Sequence, residues 1–283
     1  LGLFLMKLFV AGGAGFIGSN FIRHMLNSRS SGNVEIVNFD KLTYAGNLNN
    51  LKDIFGSSYE TRYKFIKGDI CDAPAVEKAM MGCDAAVNFA AESHVDRSIT
   101  DAQPFIRTNF TGTYILIEVA RKLGIRKFVQ VSTDEVYGSR ESGHFTENTR
   151  LNPSSPYSAT KAAADLLALS YFKTHKFPVS VARSSNNFGP YQYPEKLIPL
   201  FITNALEDKP LPVYGDGLYR RDWLFVEDNC EAITLVMEKG KPGEIYNIGG
   251  GNEMANLEVT NSVLAVLNKP KSLITHVEDR PGH

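Results

Sequence analysis

A short apolar run at residues 7–11 ends in Gly12-Gly13-Ala14-Gly15-Phe16-Ile17-Gly18, and residues 16–27 then carry apolar side chains at spacings of three and four. A buried strand that turns directly into an amphipathic helix commits the chain to a β-α unit with bare backbone at the turn. Glycines at 12, 15 and 18 let that backbone turn tightly and approach a pyrophosphate, which then sits on the positive helix N-terminus. The spacing GxxGxxG is a variant of the usual dinucleotide fingerprint. By itself it also fits a glycine-rich turn with no ligand.

The pattern repeats. Residues 34–39, 65–67, 85–89, 127–132 and 179–183 are short and apolar, or β-branched and aromatic, and read as buried parallel strands. Residues 73–81, 104–123 and 156–172 read as the helices between them, with Pro74, Pro104 and Pro156 in their first turns. Repeated β-α-β order predicts an α/β fold, a Rossmann-type doubly wound parallel sheet covered on both faces. After Arg183 the pattern loosens into Gly- and Pro-bearing stretches at 184–193 and 208–218. A helix is expected at 197–206, regular structure at 221–225, 227–238 and 244–248, and a last helix at 257–267. The expected organisation is a dinucleotide-binding domain over 1–184, rejoined by 223–250, and a smaller mixed α/β lobe from 185–222 and 251–283. The end at Arg280-Pro281-Gly282-His283 reads as a break inside a domain.

Composition excludes some functions. The net charge of −1 and the absence of a basic run leave no footprint for nucleic acid. Cys71, Cys83 and Cys230 are scattered and too few for a disulfide framework, which favours a reducing cytoplasm. The apolar start at residues 1–8 is too short for a signal segment and runs into the first strand. No stretch reaches the roughly 18 apolar residues that a membrane span needs.

Asp40 ends the second strand about 20 residues past the last glycine, where a carboxylate bonds a ribose 2′-hydroxyl and repels a 2′-phosphate. NAD is therefore expected rather than NADP; a turn or helix cap is the plainer reading of Asp40. Asp69, after the third strand, fits either an adenine contact or a turn.

Tyr157 and Lys161 lie four apart and share a helix face. A phenol near pKa 10 is a poor base at neutral pH, and a nearby ammonium is expected to lower that value. Ser132 and Thr133 end a strand at the sheet edge where ligands bind in such folds. Asp134 and Glu135 follow. Adjacent carboxylates beside a crevice repel each other and are costly to desolvate, a setting that can split them into one protonated acid and one ionised base.

Residues 12–18, Asn88-Phe89-Ala90-Ala91-Glu92-Ser93-His94-Val95-Asp96, residues 132–138, Tyr157-Ser158-Ala159-Thr160-Lys161 and Arg183-Ser184-Ser185-Asn186-Asn187-Phe188-Gly189-Pro190-Tyr191 together resemble the extended short-chain dehydrogenase/reductase family. Many members carry Ser-Ser or Thr-Ser where this chain has Thr133-Asp134-Glu135, and that run resembles the members that dehydrate nucleotide sugars. The resemblance implies dehydration of dTDP-glucose. Tyr157 and Lys161 serve oxidation at C4, Thr133 bonds the 4-oxygen, Glu135 takes the C5 proton and Asp134 protonates the departing 6-hydroxyl.

The resemblance also implies NAD held by Gly12, Gly15, Phe16, Ile17, Gly18, Asp40, Asp69, Ile70, Ala90, Tyr157 and Lys161. Substrate contacts are implied at Ser93, Thr133, Asn186, Lys196, Tyr214, Arg221 and Asn256, since a pyrophosphate wants guanidinium and ammonium groups. It further implies a homodimer through helices 104–123 and 156–172, and more chain beyond His283. Glu92, His94 and Asp96 are not expected to bind metal, because no second His or Cys group completes a ligand set. A UDP-sugar 4-epimerase or UDP-glucuronate decarboxylase of the same family, or a non-catalytic dinucleotide sensor, is the alternative. A 4-epimerase needs no elimination chemistry, and a sensor has no use for the catalytic set.

Overall fold

The computed structural model describes residues 6–27 and 34–279. The apolar start before Met6 and the segment 280–283 lie outside the described residues. In chain order the first part runs β1 (Met6–Ala11), α1 (Phe16–Asn27), β2 (Val34–Asp40), β3 (Tyr63–Lys67), α2 (Ala73–Met80), β4 (Ala85–Asn88), α3 (Val95–Thr100) and α4 (Gln103–Phe105). A π-type turn (Ile106–Gly112) leads into α5 (Thr113–Lys122), then β5 (Lys127–Thr133), α6 (Pro156–His175) and β6 (Val179–Ser184). The remainder is β7 (Asn186–Phe188), α7 (Leu197–Leu206), β8 (Leu211–Tyr214), β9 (Arg220–Phe225), α8 (Val226–Lys239), β10 (Ile245–Ile248), β11 (Glu253–Ala255), α9 (Asn256–Val266) and β12 (Ile274–Val277).

Seven strands form one parallel sheet in the order β10-β6-β5-β4-β1-β2-β3. Strand order reverses between β1 and β4, which opens a crevice at their carboxyl ends. The strands bury both faces, so alternate residues feed two cores. Leu8 and Val10 join Phe21, Met25, Ile233 and Met237 beneath α1 and α8, whereas Phe9 and Ala11 join Val76, Leu116, Ile117 and Ala168 beneath α2, α5 and α6. The later chain contributes a three-stranded sheet, β11-β9-β7, and a parallel pair, β12-β8, with α7 and α9 packed over Leu211 and Val213.

Two sequence expectations need correction. The helix expected at 104–123 is interrupted by the π-type turn, within which Asn109 is buried. Its amide donates to Glu92 O at 3.0 Å and to Thr160 Oγ1 at 3.0 Å, tying α6 to the loop after β4. Apolar spacing reports a helix face but not a one-residue widening within it. The second concerns the stretches expected to be irregular, 184–193 and 208–218: these hold β7 and β8, three and four residues long, each too short to leave a period-two signal.

The glycine turn works by close approach. Gly12 has φ +77°, and a Cβ there would lie 2.5 Å from Ala90 N across the crevice; a Cβ on Gly18 would lie 2.3 Å from Gly12 O. Gly15 is roomier, with its nearest contact at 3.4 Å. Gly18→Ala is therefore expected to cost ~1–3 kcal/mol of stability by overpacking, and Gly15→Ala less than about 1 kcal/mol. Urea denaturation of both variants checks this, and equal losses would contradict it.

Candidate active site

The glycine turn, the ends of β2 and β3 and the turn after β4 line one pocket, which takes in Gly12, Gly15, Asp40, Asp69, Ile70 and Ala90. Asp40 is buried, and each carboxylate oxygen accepts one backbone N–H: Ala14 N to Oδ2 at 2.9 Å and Leu42 N to Oδ1 at 2.8 Å. Burial raises its pKa, and those two bonds oppose the rise. Each oxygen keeps a lone pair for a ribose hydroxyl. Lys41, the neighbouring cation, is engaged with Asp69 at 2.9 Å. The bare glycine backbone and the acidic pocket end fit a dinucleotide without a 2′-phosphate. Phe16 and Ile17 open α1 but pack against the core rather than line this pocket.

Strand β5 carries Thr133, Asp134 and Glu135 to the edge of the sheet. Thr133 ends the strand by accepting Glu135 N at 3.2 Å on its hydroxyl, which starts a 3-10 turn over Asp134–Tyr137. Asp134 and Glu135 then face a cleft of about 1400 Å³. Burial, followed by the Glu135 charge, pushes the Asp134 carboxyl up to about 7; the Thr133 hydroxyl and Arg221 oppose this. The Thr133 Oγ1–Asp134 Oδ1 distance is 3.3 Å.

Helix α6 starts where Ser155 caps it, accepting Ser158 N at 3.1 Å, with Pro156 in its first turn. Tyr157 N donates to Ser98 Oγ at 3.1 Å, which fixes the start of the helix against α3. The phenol of Tyr157 is buried and hydrogen-bonded to Thr133. Its pKa is raised, first by burial and then by the Glu135 and Asp134 charges, with the Thr133 bond opposing. The sequence expectation of a lowered phenol pKa is reversed here. Lys161 donates instead to Val131 O at 2.7 Å, and burial pulls its own pKa down to about 8.

Asn186 and Arg221 line the same cleft as Asp134 and Glu135. Lys196, Tyr214 and Asn256 do not. Lys196 Nζ donates to Ser93 O at 2.7 Å, Tyr214 OH reaches Asp96 Oδ2 at 3.4 Å, and Asn256 is buried at the start of α9 with its N–H on Tyr219 O. His94 and Arg97 meet Glu195 at 3.8 and 3.6 Å, and Tyr44 OH donates to Glu195 at 3.0 Å. Tyr44, Arg97 and Glu195, which fasten the segment after β2, helix α3 and the segment before α7 to one another, left no motif to find. Asp165 left one: it lies four residues past Lys161 and is fully buried against Arg183 and Ser132.

Residues 9–283 match the family described as GDP-mannose 4,6 dehydratase. The chain belongs to that family. The family name does not fix the sugar. The chain is 49% identical over 280 residues to a dTDP-glucose 4,6-dehydratase of Streptomyces niveus, covering 98% of this chain and 82% of that protein. It is 50% identical to the low-salt glycan biosynthesis protein Agl12 of Haloferax volcanii, covering 98% and 88%. Among solved structures it resembles DesIV, the dTDP-glucose 4,6-dehydratase of Streptomyces venezuelae solved with NAD bound, at 47% identity and a TM-score of 0.93, covering 98% and 86%.

The raised Asp134 pKa has a stability consequence for a chain of this family. The folded state holds a proton that the unfolded state, at 3.8, has released, so this group lowers stability as pH rises from about 4 to 7. Asp134→Asn is expected to match wild type near pH 4 and to exceed it by ~2 kcal/mol near pH 7. Thermal melts across that range check the sign, and a gap that does not change with pH would contradict it.

Proposed function

We propose that this chain converts dTDP-glucose into dTDP-4-keto-6-deoxyglucose and water, with NAD as a regenerated cofactor. The observation that carries the reading is the Asp134/Glu135 pair facing the cleft, close enough for its charges to act on the buried Tyr157 phenol, with Asp134 poised near neutral pH. The curated relatives and the NAD-bound structure support it.

Bound NAD supplies the hydride acceptor at sugar C4 and the hydride donor at C6. Tyr157 takes the proton from the 4-hydroxyl as C4 is oxidised, and the Thr133 hydroxyl bonds the 4-oxygen. The new ketone acidifies the C5 proton, which Glu135 removes. Asp134 gives its proton to the departing 6-hydroxyl, which leaves as water. Glu135 returns a proton to C5. Tyr157 ends with one proton more and Asp134 with one fewer, and the Thr133 hydroxyl between them offers the route that resets both. Lys161, lifted from Val131 O, pairs with the cofactor ribose and favours the Tyr157 phenolate that burial disfavours. Asn186 and Arg221 hold the diphosphate, with Lys196, Ser93, Tyr214 and Asn256 supporting the surrounding wall.

The two-part organisation, with 1–184 and 223–250 carrying the cofactor and 185–222 and 251–283 the nucleotide sugar, belongs to the same proposal. So does a cytoplasmic homodimer. Ile106, Tyr114 and Leu166 are exposed apolar side chains on the π-type turn, α5 and α6, an apolar face of the kind that a second copy buries. Light scattering at micromolar protein is expected to give the dimer mass, and a monomer mass would overturn that part.

Incubation with dTDP-glucose, followed by mass spectrometry, tests the activity. Loss of one water is expected, abolished in Tyr157→Phe and slowed by about 10²-fold or more in Glu135→Gln, the scale of a lost general base. No loss of water from dTDP-glucose, together with epimerisation or decarboxylation of a UDP-sugar offered in parallel, would overturn it.

A further inference from the structure

Tyr157, Lys161 and Asp165 stand at successive four-residue steps on α6, so they share one stripe of the helix. The Tyr157 phenol interacts with the Thr133 hydroxyl at the end of β5. Asp165, two turns deeper, is fully buried, and its Oδ2 accepts Arg183 Nε–H at 2.9 Å and Ser132 Oγ–H at 2.9 Å. Ser132 immediately precedes Thr133 and lies opposite Arg183 in the β5/β6 register. Arg183 Nη1 donates in turn to Tyr137 OH at 2.8 Å, and Tyr137 OH donates to Asn247 Oδ1 at 2.7 Å. The carboxylate thus fastens α6 to β5, β6 and the turn that bears Asp134 and Glu135. Its Oδ1 is buried without a hydrogen-bond partner, while the Lys161 ammonium is equally buried with one bond to Val131 O.

We infer that Asp165 is a positioning residue of the proposed dehydratase: it supplies the counter-charge that keeps the buried Lys161 ammonium beneath Tyr157, and through Ser132 it sets Thr133 in place.

The surrounding charges support the assignment. Burial works against the Lys161 ammonium, and Asp165 is the charge that sustains it. Burial likewise raises the Asp165 pKa, opposed first by the Arg183 charge and hydrogen bond and then by Lys161. The other titratable groups facing this stripe are Tyr137, Asp134 and Glu135 from the turn after β5, and Tyr157 on α6 itself. The π-type turn presents Asn109 through Thr160, and β10 presents Asn247; both are uncharged. An isolated buried Arg–Asp pair gains little over well-packed apolar residues, so stability alone is a weak reason for this set of buried polar groups.

Asp165→Asn tests the inference, because the amide oxygen still accepts from Arg183 and Ser132 while the charge is lost. Two readouts are taken from pH 5.5 to 9.5: turnover of dTDP-glucose by the NAD-loaded enzyme, and the thermal midpoint. The alkaline half-point of turnover is expected to fall by one pH unit or more, so that activity near pH 8.5 drops about tenfold further than activity near pH 6.5. The thermal-midpoint gap between wild type and Asp165→Asn is expected to narrow as pH rises from 6 to 9, because a deprotonated Lys161 no longer needs the carboxylate. In a Lys161→Met background that narrowing vanishes.

A loss of turnover uniform across pH, with a constant midpoint gap, would mean that Asp165 is structural only and would overturn the inference. If Asp165→Asn alone shows no cooperative melt, the double variant Asp165→Asn/Arg183→Gln, which leaves no uncompensated arginine, is read in the same two ways and against the same criteria. If wild type itself leaves dTDP-glucose unchanged, the proposed function fails, and the midpoint comparison still decides the role of Asp165.

Discussion

Two carboxylates on consecutive residues at the end of a buried strand cannot both stay ionised at ordinary carboxylate pKa values. Burial and the Glu135 charge act together on Asp134, and the result is a proton held near neutral pH beside a base that can work. Thr133 caps the turn that sets the two acids side by side, Arg221 reaches them from the later chain, and the sheet fixes β5 on both sides so that the repulsion cannot relax by bending the strand. A site arranged in this way lowers the stability of the protein in exchange for chemistry.

The same logic runs down α6. Tyr157, Lys161 and Asp165 bring a phenol, an ammonium and a carboxylate into a region with almost no water, and each perturbs the next. The phenol is held well above its ordinary pKa, and the lysine rests on Val131 O. The cofactor pocket and the acid pair are therefore linked through one helix. The π-type turn strengthens that link, because Asn109 joins α6 to the loop after β4.

Much of this was legible in the sequence, for identifiable reasons. The glycine turn, Asp40 and the alternation of buried strands with amphipathic helices are local patterns, and α1 and α7 run over the same residues in the structure as in the sequence reading. The acid pair and the Tyr/Lys spacing were visible because their chemistry depends on adjacency or on one helix turn. What escaped was non-local. The Tyr44–Glu195–Arg97 contact joins residues up to 151 positions apart, and no spacing rule connects them. The direction of the Tyr157 shift was missed because it depends on how much water the fold removes from around the phenol, and a four-residue spacing does not report that. Tyr214 and Asn256 have the right chemistry for nucleotide contacts, yet they stand outside the cleft lining: the Tyr214 hydroxyl reaches Asp96, and Asn256 is buried at the start of α9.

The central claim is that oxidation, elimination and hydride return take place on one sugar in one site. Substrate labelled with deuterium at C4 tests it most directly. After turnover in ordinary water, the account predicts a product that has lost one water and keeps the deuterium, now located at C6 by nuclear magnetic resonance. A dehydrated product with the label still at C4, or with no deuterium at C6, would contradict it.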